Sequence, residues 1–220
     1  MDEFLEEEEI EREPRLIKTW LSKKPRAGSF IVVMVTFSIM SVISQIYWTN
    51  FFGLSQYLFA SYETVFENYE LWRLFTAIFI HADLEHFLSN MYMLVIFSYF
   101  IYGYSDVMTY PIMSFLLAAI VNAVSIYTYG PGIKLIGASG LVYLLAGTWF
   151  CFFFLIQRQY SIFKRTLRMI GIGLVILFPT TFSPTTSYRT HFIGLIFGIL
   201  LGLIYFYKNK NKIRSIEYYK

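Results

Sequence analysis

SGLVYLLAGTWFCFFFLI, residues 139–156, runs for eighteen positions without a charged side chain. A helix crossing the hydrocarbon core of a bilayer needs about 20 predominantly apolar residues, and a soluble domain seldom contains so long an uncharged stretch. The rest of the chain agrees with it. Of 220 residues, 56% are apolar, 20% aromatic and 15% charged, where ordinary soluble chains carry about 25% charged residues. Disorder and a soluble globular fold are both excluded. Five further apolar stretches lie at about 29–48, 85–102, 108–127, 167–182 and 191–207, the fifth span being the shortest and holding Pro179. The expected fold is all-α and polytopic, with six transmembrane helices. It divides into an N-terminal segment (1–28), a six-helix membrane domain (29–207) with an outward segment at 49–83, and a basic tail (208–220).

The basic residues set the orientation. Arg12, Arg15, Lys18, Lys23, Lys24 and Arg26 precede the first span. Arg158, Lys164, Arg165 and Arg168 lie between the fourth and fifth, and Lys208, Lys210, Lys212, Arg214 and Lys220 follow the sixth. With six spans these fifteen fall on one side and only Arg73, Lys134 and Arg189 on the other. By the positive-inside rule the fifteen mark the cytoplasm, so both termini are expected there. The first 13 residues hold eight acids. That is the reverse of a signal peptide and reads as a solvated tail. Residues 13–26 alternate cations with Leu16, Ile17, Trp20 and Leu21, a pattern suited to the inner leaflet. The outward segment is rich in Phe, Tyr and Leu and is expected to pack on the membrane surface. A net charge of +3 gives no reason to invoke nucleic acid, and a single cysteine, Cys151, excludes a disulfide framework and a multi-cysteine zinc site. No metal or organic cofactor is implied.

Ionisable and amide side chains within spans are costly and usually functional. His86 and Asn90 stand four apart near the start of span two, on one helix face. Ser139 opens span four within Gly137-Ala138-Ser139-Gly140, and His191 opens span six. Spans two, four and six all run inward, so these residues share one depth near the outer surface. A serine hydroxyl is a poor nucleophile until a base takes its proton, and a histidine is suited to that work. Asn90, His86 and the Ser139 amide, at a helix N-terminus, can donate to an oxyanion. No aspartate is placed as an obvious third member, so the pattern reads as a dyad. Gly194, Gly198 and Gly202 repeat every four residues on one face of span six, and Gly140 and Gly147 share a face of span four; such rows let helices approach closely. Tyr143, one turn beyond Ser139, is placed to stack on an imidazole.

Glu70-Leu71-Trp72-Arg73, His81-x4-His86-x3-Asn90, Gly137-x-Ser139-Gly140-x2-Tyr143 and His191-x2-Gly194-x3-Gly198 together resemble the rhomboid family of intramembrane serine proteases, in that family's order and across about residues 70–205. The six-span layout is similar to the family's compact bacterial form. The resemblance implies Ser139 as nucleophile, His191 as general base, and Asn90, His86 and the Ser139 amide on the oxyanion side. It implies Gly137 as the motif glycine, Tyr143 as the tyrosine packed on the histidine, and Trp72 and Arg73 as the motif shaping the first outward loop. His81 matches a position near the site and outside the dyad. The fifth span and the loop after it would form the gate for a substrate helix. Thr190 and Ile193 depart from the family pattern, which often has alanine and a small residue there.

The implied activity is endopeptidase cleavage of single-span or polytopic membrane proteins near their outer boundary, in a bacterial inner (plasma) membrane. Two other classes compete. A binding relative that retains membrane clients would lack the serine or the histidine. A small transporter would carry its ionisable residues near the midplane of several spans.

Overall fold

A computed structural model describes residues 14–181 and 187–220, so the acidic tail at 1–13, the end of the fifth span at Phe182 and the loop after it lie outside the described residues. Six long helices and one short one carry the fold: α1 (Ser29–Trp48), α2 (Arg73–Phe79), α3 (Leu84–Tyr104), α4 (Ser114–Tyr129), α5 (Ser139–Ile156), α6 (Ile162–Thr181) and α7 (Tyr188–Arg214). Two two-stranded pairs join them. β1 (Leu16–Lys18) pairs with β4 (Tyr218–Tyr219), and β2 (Ala60–Ser61) with β3 (Lys134–Leu135).

α5 is apolar on every side and is accordingly the central helix: Leu141, Val142, Leu144, Leu145, Ala146 and Phe152 are all fully covered. Its seam with α7 is a contact between backbones. A methyl group built on Gly194 would stand 2.5 Å from the Gly140 carbonyl oxygen, and one on Gly202 2.7 Å from Cys151 Cβ. At Gly198 it would overlap the Leu144 carbonyl oxygen, and at Gly147 the Leu195 carbonyl oxygen. The Thr148 hydroxyl lies 2.9 Å from the carbonyl of Leu144 in its own helix and 3.0 Å from that of Gly198 across the seam. Ile193 lies to one side of this contact, partly buried against the core.

The two ends of the bundle are distinct. At one end β1 lies against β4, Trp20 Nε1 donates to the Tyr104 carbonyl (3.0 Å), Thr19 Oγ1 to Gln157 Oε1 (3.3 Å), and Arg158 meets Glu217 at 2.5 Å. This end, the terminus end, therefore gathers the first described residues, the C-terminus, the α3–α4 turn and the α5–α6 turn. At the other end β2 lies against β3, Gly137 N–H donates to the Ala77 carbonyl (2.9 Å), and the Tyr129 and Ser187 hydroxyls are 2.6 Å apart. The segment between α1 and α3, the α4–α5 loop and the start of α7 meet there.

From Arg15 to Lys220 the described chain starts and finishes at the same end. Among the described residues five helices are long and apolar enough to cross a membrane: Ser29–Trp48, Leu84–Tyr104, Met108–Tyr129, Ser139–Ile156 and Tyr188–Arg214. α6 is not one of them by composition, since Lys164, Arg165 and Arg168 fall within its first seven residues. It nevertheless carries the chain from the terminus end, where α5 finishes, toward the end where α7 begins. Its cations stay at the terminus end: Arg165 bonds the Phe154 carbonyl, and Arg168 lies 3.8 Å over the Tyr160 ring. α7 continues seven residues past the expected end of its span, through Arg214, so the start of the basic tail is helix and its end is β4. Residues 13–26 were expected along the inner leaflet; from Arg15 onward they are tied beneath the bundle through β1, Trp20 and the Tyr104 hydroxyl, which donates to the Lys23 carbonyl (2.9 Å).

Between α1 and α2 the outward segment is irregular. Arg73 organises it from a buried position: Nε meets Glu70 at 2.6 Å, and Nη1 donates to the carbonyls of Gln56 (2.6 Å) and Phe59 (3.2 Å). Phe51, Phe52, Tyr57, Tyr69, Leu71 and Trp72 point outward from it, as suits a segment resting in the membrane interface.

Candidate active site

Asp83 sets the first wall. It caps α3, its carboxylate accepting the His86 N–H at 2.7 Å, and this fixes the turn from which His86 and Asn90 project. Asn90 is fully buried. Its Nδ2 donates to the His86 carbonyl at 2.8 Å, and its Oδ1 has no hydrogen-bond partner. The amide orientation follows from this, since turning it over would set oxygen against oxygen. One amide proton of Asn90 is thus held by its own helix and the other is free for a ligand.

The second wall is the turn before α5. Gly137 has φ +110°, and a Cβ there would stand 2.8 Å from His86 Cε1 and 2.9 Å from Nε2. Only glycine admits the His86 ring against the backbone at this point. Ala138 precedes the helix, and half-buried Ser139 is its first residue. N–H groups in a first helical turn have no partner within the helix, so they face outward as donors.

The third wall is α7. His191 is 94% buried by the fold, being 6% exposed. Its ring stacks on Tyr143 with centroids 4.0 Å apart and 11° between planes, and Tyr188 meets it edge-on at 6.5 Å. Tyr143 is one turn along α5 from Ser139. Thr190, beside the histidine, is buried, its hydroxyl 2.5 Å from that of Ser187 and its methyl 3.1 Å from a Cβ built on Gly140. The departure at Thr190 is therefore accommodated by the smallness of Gly140.

His81 stands behind these groups, fully buried, its ring edge-on to His86 at 5.3 Å. Burial, and secondarily the neighbouring His86, lowers its pKa to about 3, so it is neutral. The structure thus gathers Ser139, His191, Tyr143, Gly137, Gly140, His86, Asn90 and His81 at one end of the bundle. Gly194, Gly198 and Gly202 run away from them down the seam. Arg73 braces the outward segment, and Trp72 is half-exposed at the start of α2.

Three supports were not read from the sequence. Ser44 of α1 touches His81, the Ala77 carbonyl holds Gly137, and Asn122 of α4 donates to the Leu74 carbonyl at 2.9 Å while its Oδ1 lies 3.5 Å from a Cβ built on Gly140. A polar amide in an apolar span was the available signal for Asn122. A carbonyl leaves no such signal.

The arrangement defines a class: a multi-pass helical membrane protein with a serine at a helix N-terminus, a histidine held against an aromatic ring, and amide donors around them. The Rhomboid domain family model matches residues 68–208, and the chain belongs to that family, whose members are intramembrane serine proteases. No curated protein matches the chain.

Proposed function

We propose that the protein is a serine endopeptidase that cuts transmembrane substrates near the outer membrane boundary, with Ser139 as nucleophile and His191 as general base. The observation that carries this reading is the stack of His191 on Tyr143, one turn from Ser139, at a seam where Gly194 rests on the Gly140 carbonyl. His191 takes the Ser139 proton as the hydroxyl oxygen attacks the scissile carbonyl. The Ser139 N–H, the free Asn90 amide proton and the His86 ring stabilise the oxyanion. The protonated His191 then gives its proton to the leaving amine, and water, activated by the same base, releases the acyl group. The end of the bundle where β1 meets β4 carries most of the cations and is the cytoplasmic one by charge bias. The site then lies toward the outer face of a plasma membrane. Substrates are single-span or polytopic membrane proteins that enter from the bilayer and unwind locally, because a regular helix keeps its carbonyls bonded.

The test is labelling of the detergent-solubilised protein by a fluorophosphonate probe, beside cleavage of a transmembrane substrate in proteoliposomes. Wild type is expected to be labelled and active, and Ser139→Ala and His191→Ala to lose both. Cleavage that survives Ser139→Ala refutes the assignment.

A further inference from the structure

His81 makes two hydrogen bonds that together fix where its proton sits. On one side the Ser44 hydroxyl lies 3.0 Å from the Phe79 carbonyl oxygen and 3.0 Å from His81 Nδ1. A hydroxyl has one proton, and a carbonyl can only accept. The Ser44 proton therefore belongs to Phe79, and Nδ1 must be the donor to Ser44. On the other side the Ala138 N–H points at His81 Nε2 at 3.4 Å. A backbone amide can only donate, so Nε2 must be bare. Both ends independently require the same neutral tautomer, with the proton on Nδ1. The ring itself is fixed in place, with Phe87 edge-on at 5.3 Å and Trp48 Nε1 donating to the His81 carbonyl at 2.7 Å.

The peptide held by Nε2 joins Gly137 to Ala138, immediately before Ser139. Its neighbour on the other side is held by the Gly137 N–H bond to Ala77. Two bonds, one from a side chain and one from a carbonyl, thus orient a turn whose own residues, glycine and alanine, have no polar side chain to brace it.

We propose that His81 is a positioning residue: its Nε2 lone pair, kept bare by the relay through Ser44 to Phe79, sets the direction of the turn before α5 and hence of the Ser139 N–H toward the oxyanion. This rests on the reading of Ser139 as nucleophile. Misplacement by about 1 Å of a group acting on the reacting atoms costs up to about 100-fold in rate, and that is the scale on which losing the Nε2 contact acts.

The experiment has two arms on the full-length protein. In the first, nitrogen NMR of the 15N-histidine-labelled protein is expected to give one side chain with Nδ1 protonated and Nε2 bare, a signal absent from His81→Gln; a proton on Nε2 of that residue overturns the proposal. In the second, His81→Gln and His81→Asn are compared. The Gln amide oxygen reaches the Nε2 position and keeps an acceptor for Ala138, whereas the Asn amide reaches only the Nδ1 position. His81→Gln is expected within about 3-fold of wild-type kcat and His81→Asn about 10- to 100-fold below it, with KM little changed and similar unfolding temperatures. Equal losses in the two variants, tracking their unfolding temperatures, overturn the positioning role. Equal inertness of wild type and Ser139→Ala refutes the protease reading instead, and the nitrogen spectrum then still decides the tautomer.

Discussion

Replacing Gly198 by alanine tests the seam on which the site depends. The added Cβ would overlap the Leu144 carbonyl oxygen and stand 2.7 Å from Leu144 C and 3.0 Å from its Cα. Ordinary carbon–carbon contacts lie at about 3.5–4.0 Å, so α7 must move away from α5 by roughly 1 Å. All three clashing atoms are backbone, and no rotamer change relieves them. Overpacking of this kind costs about 1–3 kcal/mol. The displacement also stretches the bond from Thr148 to the Gly198 carbonyl, 3.0 Å long, adding about 0.6 kcal/mol, the average for hydrogen bonds between helices in a membrane. The expected loss is therefore about 1.6–3.6 kcal/mol. Because His191 rides on α7, activity should fall by about 10- to 100-fold even in the fraction that stays folded. Gly171→Ala is the control, because nothing stands within 4 Å of a Cβ built there and alanine favours the helix by up to about 1 kcal/mol. Denaturant unfolding in micelles, read beside substrate cleavage, separates the two effects. A Gly198→Ala protein as stable and active as Gly171→Ala would refute the backbone contact between α5 and α7.

Arg73→Ala should cost about 3 kcal/mol and expose residues 49–72 to added protease, since it strands the Glu70 carboxylate and two carbonyls; Arg73→Lys, lacking the fork, should rescue little. Gly137→Ala should lower kcat by at least about 10-fold with a smaller effect on unfolding, because its Cβ displaces the His86 ring and φ +110° strains any L-residue; wild-type kcat would refute the placement of His86. Stability should also depend on pH through His81, whose pKa falls from about 6.5 when unfolded to about 3 when folded, with His86 the titratable group facing it. The unfolded chain binds the extra proton between these values, so this contribution is full above pH 6.5 and lost as pH drops toward 3, at up to about 1.4 kcal/mol per unit. His81→Gln should flatten that slope, and an unchanged slope would refute the assignment.

What could be read in the sequence was what hydropathy and side-chain type encode. The α5 span was expected at 139–156 and is found there, because a charge-free stretch has sharp ends where Gly137 and Gln157 interrupt it. The end of α7 was hidden, since hydropathy stops at the first lysines whereas Lys and Arg are good helix formers that carry the helix on into water. α6 begins at Ile162, five residues before the expected start at Leu167, because hydropathy discounts its cations while helix geometry tolerates them. Within the site, Ser139, His191, Tyr143 and the glycines announce themselves by type and spacing. Ser44 does not, being one of several serines in α1 (Ser29, Ser38, Ser41, Ser44), and which of them meets His81 depends on how α1 packs against α2 and α3. The bond from Asn90 to its own helix was equally hidden, since spacing tells which face a residue occupies and not which proton it has already committed.

The packing of α6 bears on how a substrate would reach this site. Leu167, Ile170, Leu174 and Val175 are all exposed, a Cβ built on Gly171 would meet nothing within 4 Å, and one on Gly173 would meet only the Phe150 ring, at 3.4 Å. Arg165, bonded to the Phe154 carbonyl, and Arg168, over Tyr160, attach α6 at the terminus end. In a bilayer, lipid replaces any apolar contact that a moving helix gives up, so separation costs only the packing and hydrogen bonds lost. α5 and α7, joined backbone to backbone, would lose both. At Gly171 and Gly173 α6 makes no such backbone contact, and its partly buried Ile176 and Leu177 pack against the core. Under the proposed function, α6, held by Arg165 and Arg168 at the terminus end, would tilt outward while the α5–α7 seam stays shut. A transmembrane substrate would then approach Ser139 without disturbing the contact that holds His191 against Tyr143.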